Sequence, residues 1–249
     1  MSTGDVPKYQ LPSGVVAGLA FMALCGGTRS FRADALRCVG RLKPPLQIFG
    51  REHIPVAGPL VVTVNHYSRP GFGAWWIALA VAAAVPLEMH WVITGELLYL
   101  GRLLSPVSRR ALRRIARTYG FTAMPPMPPR PAEAEARARA VRQVLDFMKG
   151  GRAAVLGLAP EGMDHRGGRL ALPAPGAGRF GLLLEGLGAA FLPVGAYEAE
   201  GAFCLRFGPV FRLNYPTGAS IREKDRAAVR IMMSNIAAQL PPALRGEFA

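Results

Sequence analysis

Apolar residues fall into two rhythms along this chain, and the alternation between them sets out its elements. Short runs of β-branched or fully apolar residues read as buried strands: Gln47 to Phe49, Leu60 to Val64, His90 to Thr94, Ala153 to Leu158, Ala190 to Ala196, Phe203 to Phe207 and Val210 to Leu213. Pro193 interrupts the fifth of these, and Gly208-Pro209 separates the last two. Stretches with helical spacing lie between them. Residues 12–43 predict an apolar helix and then a mixed one from Phe31 to Leu42, stopped by Pro44-Pro45. Gly73 to Val85, residues 107–119, Ala132 to Lys149, Phe180 to Leu187 and Ile221 to Leu240 predict the rest, the third of these closed by Gly150-Gly151. Strands alternating with helices predict an α/β fold, with a central mixed, mostly buried sheet flanked by helices.

Two helical stretches carry more than packing information. From Gly14 to Cys25 the chain is apolar all round, but for only about a dozen residues, short of the roughly 20 that span a bilayer. Asp5 beside Lys8 and the lack of a small-residue cleavage site argue against a signal peptide. In residues 107–119, Leu112, Ile115, Ala116 and Tyr119 share one face, and Arg110, Arg113, Arg114 and Arg117 the other. An apolar helix and an arginine-faced one fit an interfacial membrane anchor. Residues 1–45 are therefore expected to be a helical, membrane-associating segment, and residues 46–249 a single α/β domain.

Composition sharpens this. The chain has 30 basic residues against 16 acidic, a net charge of +14, and its only lysines are Lys8, Lys43, Lys149 and Lys224. Such a balance implies a polyanionic partner, nucleic acid or an anionic membrane surface. Arginine-rich codon usage accounts for part of the excess but not for the scarcity of acids. No helix-turn-helix, RNA-recognition or zinc-finger pattern accompanies the charge, so the membrane is expected and nucleic acid is not. Cys25, Cys38 and Cys204 lack the number and spacing of a disulfide framework or a zinc site, and no metal is expected.

The candidate chemistry lies in two short motifs about a hundred residues apart. Asn65-His66-Tyr67-Ser68-Arg69-Pro70-Gly71 follows the strand from Leu60, and Ala159-Pro160-Glu161-Gly162 follows the strand from Ala153. A histidine at a strand's C-terminal end stands where open α/β sheets bind ligands, and its imidazole titrates near neutrality. Read on residue type alone, such a histidine is more often a structural hydrogen-bonder, and the alternative for Glu161 is a loop carboxylate paired with a nearby arginine.

With Gly120-Phe121, Pro175-Gly176-Ala177-Gly178 and Leu192-Pro193-Val194 in order, these motifs resemble the glycerolipid (lysophosphatidic acid, or 1-acylglycerol-3-phosphate) acyltransferase family over roughly residues 46–215. The resemblance implies an O-acyltransferase with His66 as general base and Glu161 and Gly162 at the acceptor site. Asn65 and Ser68 would support the turn that carries His66. It implies acyl-CoA or acyl carrier protein as co-substrate, no cofactor, a lysophospholipid or other lipid acceptor, and a place on the cytoplasmic face of the membrane.

The departures are as specific as the matches. The family carries an aspartate where this chain has Gly71, and that acid orients the histidine as a carboxylate does in a hydrolase triad. Glu96, Glu161 and Asp164 are the alternatives. The family's phosphate-binding arginines are also absent from their motif positions, where Arg69, Arg130, Arg166 and Arg169 stand nearby. A catalytically impaired relative that binds lipid or a partner without transferring acyl groups is the competing reading.

Overall fold

The computed structural model of the protein describes residues 8–97, 101–163, 165–214 and 218–248, with the backbone alone at 101–105 and 166. Its strands are β1 (Gln47–Phe49), β2 (Leu60–Val64), β3 (His90–Thr94), β4 (Thr122–Met124), β5 (Val155–Leu158), β6 (Ala190–Ala199) and β7 (Ala202–Phe207). They form one seven-stranded sheet in the order β1-β7-β6-β2-β5-β3-β4. The β6–β7 hairpin is antiparallel and every other pairing is parallel, so the sheet is mixed, as expected. The helices are α1 (Ser13–Cys25), α2 (Phe31–Val39), α3 (Trp75–Ala84), α4 (Gly101–Tyr119), α5 (Ala134–Met148), α6 (Ala177–Gly186) and α7 (Ile221–Ala237).

β2 lies at the centre and is buried along its whole length. Leu60, Val62 and Val64 join an apolar cluster with α2 and α3, while Val61 joins the opposite cluster, to which α5, α6 and α7 contribute. A strand buried on both faces is continuously apolar, which is why Leu-Val-Val-Thr-Val shows no alternation. Phe31, Ala35, Cys38 and Leu42 lie in the same cluster as Trp76, Ile77 and Ala80, so α2 completes the core on that side. α1 adds only Val15 to this core and leaves Phe21 63% and Leu24 70% exposed.

A buried carboxylate fixes the N-terminal helices to α4. Asp34, 1% exposed, accepts from Arg29 Nε at 2.8 Å and Nη2 at 2.5 Å, and from Tyr119 Oη at 2.9 Å. Ser30 caps α2 by accepting from the Ala33 N–H at 3.0 Å. The Arg29 N–H bonds the Thr118 carbonyl at 2.8 Å, which closes the joint from the main chain.

Four elements differ from the sequence-based expectation. β6 runs unbroken through Pro193 to Ala199. Its ladder with β7 begins at Val194, so the missing Pro193 N–H falls just beyond the partner strand, and the Pro193 carbonyl accepts from Gly208 N at 2.9 Å. Residues 210–213 are not a strand. Only Phe211 pairs, with Phe191, at the one stretch of β6 that β7 leaves uncovered. β4 was not expected, because Thr-Ala-Met is too short to carry a period and is followed by prolines. α4 also starts earlier than residue 107 and contains Pro106.

His90, on β3, stacks on Phe147 with ring centroids 4.3 Å apart, and its Nε2 lies 2.8 Å from Thr122 Oγ1. Burial lowers its pKa to about 4. A histidine depressed on folding contributes stability that is present above its unfolded value near 6.5 and is lost as pH falls toward 4. Chemical denaturation at pH 7 and pH 4.5 should show the wild type losing up to about 3 kcal/mol more than His90→Gln over this interval. Equal losses would mean that the imidazole is already solvated when the protein is folded.

Candidate active site

Strand register brings the two motifs together. β2 and β5 are adjacent and parallel, with Thr63 paired to Leu158. Three residues past that pair stand His66 and Glu161, side by side at the C-terminal end of the sheet, where α/β sheets place their sites. The Glu161 Oε2 accepts the His66 backbone N–H at 2.6 Å, and its Oε1 accepts the Ala171 N–H at 2.8 Å. The side chain is almost wholly enclosed, at 2% exposure. Burial pushes this carboxyl above its ordinary range; the N–H groups of His66 and Ala171 and the nearby imidazoles of His66 and His165 pull the other way.

The segment after β2 is extended, and alternate residues reach alternate neighbours. Asn65, 1% exposed, donates from Nδ2 to the Ala196 carbonyl at 2.9 Å and accepts the Ala196 N–H on Oδ1 at 2.7 Å. Tyr67 Oη donates to Glu198 Oε2 at 3.0 Å. Arg69 donates to the same carboxylate from Nε and, at 2.7 Å, from Nη2, while its Nη1 bonds the Pro70 carbonyl at 2.7 Å. Residues 65, 67 and 69 thus hold β6, and the amide of residue 66 holds the β5 loop.

The loop between β5 and α6 closes against this segment. Gly168 has φ of 64°, and a Cβ there would stand 2.8 Å from the Tyr67 ring. Gly162 has φ of 68°, and a Cβ there would stand 3.0 Å from Met127 Cγ. The motif's glycine therefore lets the turn pass under the proline-rich loop before α5.

The structure assigns the expected residues unequal positions. The Asn65 amide is engaged at both ends by Ala196, so it is a support for the turn and not a contact for substrate. Glu161 is likewise turned toward two backbone amides and does not stand open to an acceptor. Arg69, one of the four arginines standing near the missing motif positions, is engaged with Glu198 and Pro70. Ser68 is half-buried and Arg169 exposed on the neighbouring loop, while the side chain of Arg166 lies outside the described residues. Among the acids considered for orienting His66, Glu96 pairs with Arg109 at 2.8 Å, Glu161 holds the histidine's main chain, and Asp164 lies outside the described residues. Arg130 stands 3.7 Å from Glu133.

Two residues that the sequence did not flag complete the site. Glu198 ends the stretch of β6 that faces the turn, and Tyr9 enters from the N-terminal segment, its Oη 2.6 Å from Glu198 Oε1. Burial alone would raise the Glu198 carboxyl, but donation from Arg69, Tyr9 and Tyr67 outweighs it and holds the group below the ordinary carboxylate range. Burial and the adjacent Glu198 charge push the Tyr67 phenol up to about 12.

No protein-family profile matches this sequence, and none of the curated proteins compared with it matches either. Among the solved structures that match is the 1-acyl-sn-glycerophosphate (LPA) acyltransferase PlsC from Thermotoga maritima. The two are 14% identical, with a TM-score of 0.49, and the match covers 90% of this chain and 81% of that one.

Gly71 has φ of 80°, and among the described residues, its two chain neighbours aside, an added Cβ would meet only Arg69 Nη1 within 4 Å, at 3.5 Å. Gly71→Ala should cost about 1–2 kcal/mol, because an L side chain is strained in that backbone region. Gly71→Asp should cost less than Gly71→Ala, since its carboxylate meets the Arg69 guanidinium. Urea denaturation of both variants checks this, and a larger loss for Asp would show that Arg69 cannot accommodate a second acid.

Proposed function

We propose that the protein is an O-acyltransferase that moves a fatty acyl chain from acyl-CoA or acyl carrier protein to a hydroxyl of a (lyso)glycerolipid such as 1-acylglycerol-3-phosphate. The observation that carries this reading is the joining of Asn65-His66 to Pro160-Glu161-Gly162 through the Glu161 carboxylate and the His66 N–H at the strand ends. It places the two motifs of the family resemblance in one site and fixes the main chain of the histidine.

In this reading, the His66 imidazole takes the proton from the acceptor hydroxyl as its oxygen attacks the thioester carbonyl carbon. The C–S bond then breaks, the thiolate leaves, and the imidazolium returns the proton to sulfur. An ester and a free thiol are the products, and no further reactant is consumed. Ser68, Gly162 and Arg169 border the turn and the loop between which the acceptor would enter, and Arg169, with Arg166 of the same loop, is the residue this reading assigns to a phosphate there.

Gly71 supports a second reading. With no carboxylate at that position and Arg69 already paired, a relative that binds lipid without transferring acyl groups would keep this framework. The two readings separate on one measurement, thiol release from acyl-thioester donors with a panel of lysolipids in anionic vesicles. Release that His66→Ala reduces at least about a hundredfold, with the fold retained, supports the transferase. No release from the wild type leaves the binding reading, and a His66→Ala rate above a tenth of the wild type removes the histidine from the base role.

The setting we propose is the cytoplasmic face of a membrane. No helix among the described residues is long and apolar enough to cross one. α1 nevertheless exposes Val16, Phe21 and Leu24, and it packs beside α4, whose Arg109, Arg110, Arg113 and Arg117 are exposed. An apolar surface beside guanidinium groups fits the boundary between acyl chains and anionic headgroups. Phe21→Ser with Leu24→Ser should weaken co-sedimentation with anionic vesicles, and raised salt should weaken it further. Undiminished binding by the double variant at both salt concentrations would show that α1 does not touch the bilayer.

A further inference from the structure

The turn that carries His66 lacks the acid expected at position 71, yet it is held at every other residue. Besides the main-chain contacts of Asn65 and the Glu161 bond to the His66 N–H, the side chains of the turn converge on one carboxylate, Glu198, which receives Tyr67 and Arg69, and Tyr9 from the N-terminal segment. By the strand's period of two, Glu198 shares the face of Leu192, Val194 and Ala196, which point into the core cluster with α2 and α3. A charge on that face is costly unless it is paired and bonded, and its donors here come from two distant parts of the chain.

Tyr9 is more than a third donor residue. Its ring packs edge-on against Phe72 at 5.0 Å and Phe203 at 6.0 Å, and tilted against Trp76 at 5.4 Å. The Arg69 guanidinium lies 5.7 Å from the same ring. Tyr67 in turn meets Phe72 at 5.3 Å. The N-terminal segment therefore runs across the turn and is wedged between it, the start of α3 and β7.

We propose that Glu198 is the positioning residue of the His66 turn, closed from outside by Tyr9, and that this latch takes over part of what the absent acid would supply. It acts through the main chain of residues 67–71 and not through the imidazole. The inference rests on the acyltransferase reading only for its kinetic consequence; the latch itself has a readout that needs no substrate.

That readout is amide hydrogen exchange of the full-length protein, compared between wild type, Glu198→Gln and Tyr9→Phe. Both changes keep side-chain shape, and the second removes a single oxygen. Losing a bond to a charged group should make local opening of residues 66–72 at least about tenfold more populated, so their amides exchange that much faster while the rest of the sheet keeps its protection. In the thiol-release assay, kcat should fall by about ten- to a hundredfold with the KM for the acyl donor held, because misplacement of the base affects chemistry before binding. The Glu198 carboxyl is depressed, so the latch is intact above the ordinary carboxylate range and is released as pH falls through its lower value. Exchange in the 66–72 amides of Glu198→Gln should lack that acid step. Unchanged exchange in both variants, or a uniform rise across the whole protein, overturns the latch. Faster local exchange with unchanged kcat, or with KM alone shifted, overturns the positioning role. Faster local exchange in a protein that releases no thiol at all retains the latch and removes the acyltransferase reading instead.

Discussion

The fold's functional end depends on an amide that behaves as a short piece of strand. β2 stops pairing at Val64, but the Asn65 side chain supplies the donor and acceptor that the next residues of a ladder would have given to Ala196. Buried backbone groups left without partners would each cost about 1–3 kcal/mol, so this one side chain decides where β6 may sit once β2 has turned away. Every later contact follows from that. Glu198 comes within reach of residues 67 and 69 because Ala196 is fixed against residue 65, and His66 meets Glu161 because the other flank of β2 stays in register with β5.

This arrangement divides labour among the acids. Glu161 is held almost out of water and spends both oxygens on main-chain donors, which raises its cost but makes its position unambiguous. Glu198 is less enclosed and is surrounded by phenol and guanidinium donors, which keeps it ionised. Asp34 does the corresponding work at the far joint, binding α2 to α4 through Arg29 and Tyr119. In a chain so poor in acidic residues, three of them serve as junctions between elements distant in sequence.

Much of the fold could be read from the sequence because its strands are buried on both faces, and a continuous apolar run bounded by turn residues is a strong signal. β1, β2, β3 and β7 and the bodies of the helices fall where the pattern puts them. What escaped was context. Pro193 reads as a break until the end of β7 shows that no donor is needed there. The 210–213 run has strand composition but only one vacant place to pair. In the site, the Asn-His and Pro-Glu-Gly turns were visible as motifs, whereas Glu198 belongs to no motif and was not singled out. Its one available signal was its parity with Leu192, Val194 and Ala196, which puts a charge on a core-facing position. Tyr9 gave no signal, because it precedes every periodic element and acts through a contact made 189 residues away.

The wedge formed by Tyr9 also sets a distance. Three residues, and so four Cα–Cα steps, separate it from Ser13, the first residue of α1. At full extension that tether spans no more than about 14 Å. In the membrane setting proposed above, the helix that would meet the lipid and the turn that carries His66 are thus joined through Tyr9 by a short span, so the depth at which α1 lies in the headgroup layer would bear on how far an acceptor hydroxyl must rise to reach the imidazole.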